Sequence, residues 1–159
     1  MTEDETAIRA LAAAYTDAVN RHDPVAGAAV YAPDGVLIAY DTPPIAGRAA
    51  IETLFVARWP QAGILFQCLH SGLVEIDGDR AHARWWLSEY NCPVNETAGR
   101  MNLFAYQDEL VRLPERWRFA RRNLQTCYRE RRDYPAKRQP PLAMDHRFGL
   151  DGLTRGANA

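Results

Sequence analysis

Apolar residues in the first third of the chain recur at the three- and four-residue spacing of α-helices. Thr2 and Glu5 fit a capping box, and the apolar stripe after them predicts a first helix with Ile8, Leu11, Ala12, Tyr15 and Val19 on its buried face. Asp23-Pro24 joins a favoured N-cap to a proline suited to the first helical position, so a short second helix is predicted over about 24–31. After a break at Pro33-Asp34-Gly35, we expect a strand over 35–40 and a third helix over about 48–59.

From residue 64 onward, apolar and polar positions alternate with period two, which is the pattern of strands. Long strands are predicted over 64–76, 81–90, 100–113 and 117–128, with a hairpin turn at Asp77-Gly78-Asp79. Helices followed by a meander of strands indicate an α+β fold. We expect the three N-terminal helices to pack on a strongly curved antiparallel sheet that forms a conical pocket for a small molecule.

The regular pattern ends near residue 132. Residues 133–159 contain three of the ten prolines and little periodicity. We therefore predict one domain over 1–132 and an irregular C-terminal tail over 133–159, which we expect to pack on a partner subunit.

Composition and charge narrow the class of protein. The chain has 159 residues, of which 47 % are hydrophobic and 25 % charged, as in ordinary globular domains. No apolar run approaches a membrane span, and no signal peptide is recognised, so no membrane association and a cytoplasmic location are expected. Residues 112–138 carry 10 basic and 3 acidic side chains, against 7 and 15 in residues 1–111. Without interleaved aromatics this basic strand does not indicate nucleic-acid binding.

Neither the cysteines nor the histidines are spaced like metal ligands. The three cysteines, Cys68, Cys92 and Cys127, are far apart and form no CxxC pair. We therefore predict no disulfide framework, no metal and no cofactor.

Four stretches of the chain resemble one known family. They are Tyr15 to Pro24, Tyr31 to Ile51, His70 to Ala81, and Tyr106 to Arg112 followed by Trp117 to Arg122. On these stretches the chain resembles SnoaL-like members of the nuclear transport factor 2-like superfamily over about residues 5–130. The resemblance implies a cystatin-like α+β barrel, and it leaves the activity open because this fold hosts many unrelated functions.

His70 is the first catalytic candidate that the resemblance implies. Its place is similar to that of the histidine base in scytalone dehydratase and hexachlorocyclohexane dehydrochlorinase, and on a predicted strand face it follows Ile64, Phe66 and Cys68. These families pair the histidine with an aspartate where this chain has Asn20, which can orient an imidazole but cannot supply a charge. Asp23 could substitute for that aspartate, although it also suits an N-cap.

Tyr15 and Asp41 are implied by a resemblance to the ketosteroid isomerases. Tyr15 stands where those enzymes have the tyrosine that donates a hydrogen bond to the oxyanion, and Asp41 lies near the position of their aspartate base. On the residues alone, Tyr15 also suits a core position of an amphipathic helix, and Asp41 suits a loop.

Several further side chains are candidates for the pocket wall. They are Phe66, Cys68, Trp86, Tyr90, Phe104 and Tyr106. Plain core packing is the alternative for each. Alternation alone does not distinguish Trp86 from Trp85, because a bulge in a curved sheet switches which face a residue occupies.

The resulting hypothesis is a cofactor-free lyase or isomerase that acts on a small cyclic or aromatic compound. In it, His70 removes a proton next to a carbonyl and Tyr15 stabilises the enolate oxygen, as in a dehydratase. The alternative is a non-catalytic small-molecule-binding or structural subunit, similar to the β chain of ring-hydroxylating dioxygenases. In either case we expect a homodimer or homotrimer.

Overall fold

The computed structural model describes residues 1–39 and 42–136. Three helices are present: α1 (Glu3–Arg21), α2 (Pro24–Ala29) and α3 (Arg48–Arg58), the last followed by a 3-10 turn at Trp59–Gln61. The strands are β1 (Tyr31–Ala39), β2 (Ile45–Ala46), β3 (Ala62–Asp77), β4 (Arg80–Pro93), β5 (Ala98–Arg112) and β6 (Trp117–Asp133). The fold is α+β, as predicted.

The strands form one curved, unclosed sheet in the order β2-β1-β6-β5-β4-β3. The long meander from β3 to β6 is antiparallel throughout, whereas β1 runs parallel to β6. The chain can make this parallel pairing because the third helix and four strands lie between β1 and β6, which is enough for a crossover. The helices cover the concave face of the sheet.

The helix boundaries follow local capping chemistry. The Thr2 hydroxyl accepts a hydrogen bond from the backbone N–H of Glu5, and the Asp23 carboxylate accepts one from Ala26. His22 ends α1 in the left-handed region with φ 55°, which turns the chain into α2. These contacts confirm the two predicted N-caps.

The first strand begins earlier than predicted. Pro33-Asp34-Gly35 does not break the chain into a loop but lies inside β1, where the pairing with β6 shifts register between Tyr31 and Val36. Turn-forming residues are tolerated there because a bulge leaves residues outside the hydrogen-bonded ladder. The two-residue strand β2, which pairs with Val36 and Leu37, was not predicted either.

The core lies between the helices and the concave face of the sheet. It is rich in aromatic side chains that pack edge-on or tilted: Tyr15 lies 6.3 Å from Tyr31 and 5.9 Å from Tyr106 between ring centroids, and Tyr31 lies 5.8 Å from Phe119. Two members of this aromatic cluster, Tyr15 and Tyr106, also line a cavity between the helices and the sheet.

Candidate functional site

A cavity of about 670 Å³ lies between the helices and the concave face of the sheet. Its walls are mainly apolar and come from α1, α3 with the 3-10 turn after it, the loop before β2, and the concave face of the sheet. The apolar lining residues include Val19, Leu37, Leu54, Phe55, Trp59 and Leu65. Phe55 and Trp59 stack with their ring centroids 4.4 Å apart, one turn apart on α3 and the 3-10 turn. A space of this size and character suits a small organic molecule.

The sheet supplies the polar end of the cavity. Gln67 from β3 donates a hydrogen bond through Nε2 to the Glu89 carboxylate, at 2.9 Å, and its Nε2 also lies 3.0 Å from the Tyr106 hydroxyl. Asn91 Nδ2 donates to the other Glu89 oxygen at 2.7 Å. All four side chains line the cavity, so three neighbouring strands bring one carboxyl, two amides and a phenol together.

Glu89 is the charged centre of this cluster. Its side chain is only 4 % exposed. Burial raises the pKa of Glu89 above its ordinary value, although the amide donors of Gln67, Asn91 and Asn102 work in the opposite direction. A buried carboxyl with a raised pKa in a cavity is a candidate for proton transfer.

A hydrogen-bonded chain connects Glu89 to a basic residue outside the cavity. Asn102 Nδ2 lies 3.4 Å from Glu89 Oε1, and Arg129 Nε donates to Asn102 Oδ1 at 3.0 Å. The hydrogen bond from Arg129 fixes the side-chain amide of Asn102 so that its N–H₂ group faces the Glu89 carboxylate.

The two tyrosines of the cavity rest on a buried arginine. The Arg122 guanidinium lies 4.1 Å from the Tyr106 ring centroid and 4.5 Å from that of Tyr15. It forms a two-point ion pair with Asp108 at 2.8 and 2.7 Å, and Asp108 also accepts from Trp85 Nε1 at 2.9 Å. Burial raises the pKa of both tyrosines, so their hydroxyls remain neutral donors.

Tyr15 and Tyr106 are the two predicted site residues that line the cavity. Asn20 lies at the C-terminal end of α1. Its side-chain amide pairs with the backbone of Gln67, donating to the carbonyl at 2.9 Å and accepting from the N–H at 2.7 Å. Asn20 therefore holds the strand that presents Gln67 to the cavity.

His70 lies on the outer face of the sheet, and its expected placement in the pocket is corrected. Leu69 pairs with Leu87 and Ser71 with Trp86, so His70 falls in a β-bulge between them. Its ring is exposed and lies 3.0 Å from the Ser88 hydroxyl. The inward positions of β3 are Leu65 and Gln67, one residue out of step with the face that the sequence suggested.

The same shift of face applies to other predicted lining residues. Phe66 and Trp86 are 47 % and 45 % exposed and belong to the outer face. Cys68 and Tyr90 are half-buried, and neither lines the cavity. Phe104 is fully buried in the core, outside the cavity wall. Asp41 lies outside the described residues.

Sequence reasoning missed Glu89 and Gln67. The available signal was a carboxylate within the mainly apolar stretch from Trp85 to Tyr90, because a lone acid on a buried strand needs partners to be tolerated. Gln67 carries no comparable signal.

Two features are absent from the described part of the chain. Within residues 1–39 and 42–136, no group of three or more His, Cys, Asp or Glu side chains is placed to hold a metal ion. None of the described helices is long and apolar enough to cross a membrane.

Solved structures share this fold. The chain is 25 % identical to a nuclear transport factor 2-like protein with a cystatin-like fold from Novosphingobium aromaticivorans, with a TM-score of 0.66 over 79 % of this chain and 82 % of that one. It is 22 % identical to a ketosteroid isomerase-like protein from Erwinia carotovora, with a TM-score of 0.70 over 80 % and 99 %. It is 16 % identical to a hexachlorocyclohexane dehydrochlorinase from Novosphingobium barchaimii, with a TM-score of 0.75 over 86 % and 94 %.

The fold and the cavity define a class of α+β domains in which a curved sheet and its helices enclose a space for a small molecule. Within that class, residues 1–123 match the SnoaL-like domain, and the chain belongs to this family of the nuclear transport factor 2-like superfamily. A search of curated proteins finds no match.

Proposed function

We propose that this protein binds a small, largely apolar cyclic or aromatic compound and moves a proton on it without a cofactor, as a lyase or isomerase. Glu89 is the proton-transfer group. The observation that carries the proposal is that Glu89 is the one carboxyl among the described residues of an otherwise mainly apolar cavity wall. Its raised pKa brings it closer to the range in which a carboxyl works as an acid and a base near neutral pH.

The proposed reaction begins with the Glu89 carboxylate removing a proton from the carbon next to a carbonyl. The electron pair of the broken C–H bond moves into an enolate, whose oxygen accepts a hydrogen bond from a neutral tyrosine hydroxyl. Tyr106 is suited to this because its hydroxyl and the carboxylate contact the same Gln67 nitrogen and so lie within about 6 Å of each other. Protonated Glu89 then returns the proton to another carbon, or a leaving group departs.

The amides around Glu89 support this cycle by positioning the carboxylate. Asn91 and Gln67 each hold one oxygen, so the group has a fixed orientation toward the cavity. When Glu89 is protonated, the Gln67 amide can turn over so that its oxygen accepts from Glu89, which leaves the Tyr106 hydroxyl to donate to the enolate oxygen. The cluster can therefore accommodate both protonation states with hydrogen bonds intact.

The test is proton exchange on simple cyclic ketones in deuterated buffer, followed by NMR, together with the isomerisation of a β,γ-unsaturated cyclic ketone. The wild-type protein is expected to accelerate at least one of these reactions. Glu89→Gln should lose about 10²- to 10⁴-fold of the rate. The matched control is Glu75→Gln, on the exposed part of β3.

His70→Gln separates this proposal from the histidine hypothesis. It should keep the wild-type rate, because His70 lies on the opposite face of the sheet from the cavity. Loss of activity in His70→Gln together with retention in Glu89→Gln would overturn the assignment of Glu89.

A non-catalytic binding or structural subunit is the second candidate. It is favoured by the number of amides that already bind Glu89, since three donors occupy most of the acceptor capacity facing them. In that case, cyclic ketones and hydroxylated aromatics should change the fluorescence of Trp59, which lines the cavity, and no turnover should accompany binding. Isolation with a larger subunit would support a role like that of a dioxygenase β chain.

A further inference from the structure

Arg118 is a buried cation without a carboxylate partner among the described residues. It lies at the start of β6, and the residue is only 5 % exposed. Its Nη1 donates to the backbone carbonyl of the preceding Trp117 at 3.1 Å. Its other N–H groups find no acceptor in the described part of the chain. A guanidinium has donors for several acceptors, so most of its hydrogen-bonding capacity is unused.

A second arginine lies beside it. Arg48 Nε donates to the Tyr31 carbonyl at 2.8 Å, and Tyr31 pairs with Phe119, the residue after Arg118. Arg48 is half-buried and likewise forms no ion pair with a described residue. Arg116, two residues before Arg118, adds a third positive charge to the same end of the sheet.

The start of α3 adds to the positive potential. Arg48 is the first residue of this eleven-residue helix, and its N-cap, Gly47, provides no side chain to accept from the free amides. Unsatisfied N–H groups at a helix start carry partial positive charge. This end of α3 is remote from the cavity along the helix, because the cavity is lined by Leu54, Phe55 and Arg58.

This arrangement is unfavourable in the absence of a counter-charge. Burial, together with the neighbouring Arg116 and Arg48, lowers the pKa of Arg118 to about 10, and Glu115 offsets only part of this. A buried charge is normally paired, and an apolar group of similar size in place of an unpaired one removes the desolvation cost.

We propose that Arg118 and Arg48 form a binding site for a small oxyanion at the start of β6 and α3, separate from the cavity. Two guanidinium groups with unused donors match the oxygens of a phosphate, sulfate or carboxylate. Because Arg118 is almost fully covered, the ligand approaches from the side of Arg48 and Arg116, which are partly exposed.

The test is thermal unfolding of the full chain at constant ionic strength, in chloride, inorganic phosphate, sulfate or malonate. Phosphate should raise the Tm of the wild type with a saturating dependence, by about 5–10 °C at a hundredfold excess over Kd. Stabilisation by malonate alone would assign the site to carboxylates, and stabilisation by phosphate or sulfate to tetrahedral oxyanions. Calorimetric titration at the same ionic strength gives the Kd.

Two variants and a control distinguish a site from a general salt effect. Arg118→Met should have a Tm equal to or above that of the wild type in chloride and should gain nothing from the oxyanion. Arg48→Gln should weaken binding at least about tenfold, the effect of losing one charge-assisted contact. Arg121→Gln, which removes an exposed arginine of the same strand, should respond like the wild type.

Two results would overturn the proposal. One is a wild-type Tm that is the same in chloride and in every oxyanion at matched ionic strength. The other is an oxyanion-dependent rise that persists undiminished in Arg118→Met. If Arg48→Gln does not fold, Arg118→Met still decides the matter, because it removes a charge without removing volume.

Discussion

Glu89 shows how one side chain is tuned by neighbours that oppose each other. Burial disfavours its carboxylate, whereas the amides of Gln67, Asn91 and Asn102 stabilise it. The net result is a raised pKa, which means that the folded protein holds the Glu89 proton to higher pH than the unfolded chain does. Because the pKa of Glu89 differs between the folded and unfolded states, its titration makes the free energy of unfolding depend on pH.

The sign of that dependence is a prediction at the residue scale. Between the ordinary glutamate pKa of 4.5 and the raised value, the folded state binds more protons, so the contribution of Glu89 to stability falls as the pH rises. Glu89→Gln removes this contribution. In urea unfolding from pH 4 to pH 8, the stability of the variant should therefore gain on that of the wild type and then level off.

Glu75→Gln is the control for the same experiment, since its exposed carboxyl should leave the pH profile parallel to that of the wild type. A Glu89→Gln profile parallel to the wild type would mean that the folded protein does not hold this proton more tightly.

At the scale of elements, a buried cluster of hydrogen bonds links three strands and contributes to the stability of the sheet. Trp85 on β4 and Arg122 on β6 both bond to Asp108 on β5. The Arg122 and Asp108 side chains are 1 % and 0 % exposed. Burial opposes the positive charge of Arg122, but the Asp108 carboxylate raises the pKa of Arg122 above its ordinary value. Arg122 therefore stays positively charged at every pH at which the protein is folded.

Asp108→Asn should destabilise the protein by about 3–5 kcal/mol, because it leaves the Arg122 charge buried without a counter-charge. Urea unfolding measures the change. The matched control is Asp79→Asn, in an exposed pair with Arg112, which should change the free energy of unfolding by less than about 0.5 kcal/mol. Similar losses in the two variants would contradict the role assigned to burial.

The elements were largely predictable from the sequence, because periodicity, caps and turns are local signals. The stripe on α1 and the turn at Gly78, which adopts φ 58°, are examples. The inward face of β3 was not predictable, since both of its faces carry apolar side chains, including Phe66 outside and Leu65 inside. Because the wrong face was chosen, His70 was predicted to lie in the pocket. Tyr15, on the apolar stripe of α1, was also predicted to lie in the pocket, and it does line the cavity. Glu89 was missed for the same reason: its face is fixed by pairing between distant strands.

The outer face of the sheet is the main feature at the scale of the whole molecule. Phe66, Trp86, Leu103 and Tyr128 are 41–48 % exposed there, and the register places Leu103 between Ser88 and Tyr128. Large apolar side chains grouped on one exposed face are typical of an interaction surface. We expect two or three copies of the chain to associate through this face.

Light scattering after size-exclusion chromatography tests this expectation. The wild type should have the mass of a dimer or trimer, and Trp86→Glu should shift it toward the monomer, because a charge would be buried in the interface. Val25→Glu, at an exposed apolar position of α2, should leave the mass unchanged. A monomeric wild type at micromolar concentration would contradict the expectation.

The pairing of Asn20 with Gln67 has a consequence for the whole sheet. β3 is an edge strand, and an edge offers its unpaired N–H and C=O groups for pairing with a strand of another molecule. The Asn20 amide occupies both groups of Gln67, and Arg9 takes the carbonyl of Gly72 at 3.2 Å. Side chains of the first helix thus form hydrogen bonds to β3 that a further strand would otherwise form. A strand of another molecule therefore cannot pair with this part of β3, which protects the protein against aggregation through this edge.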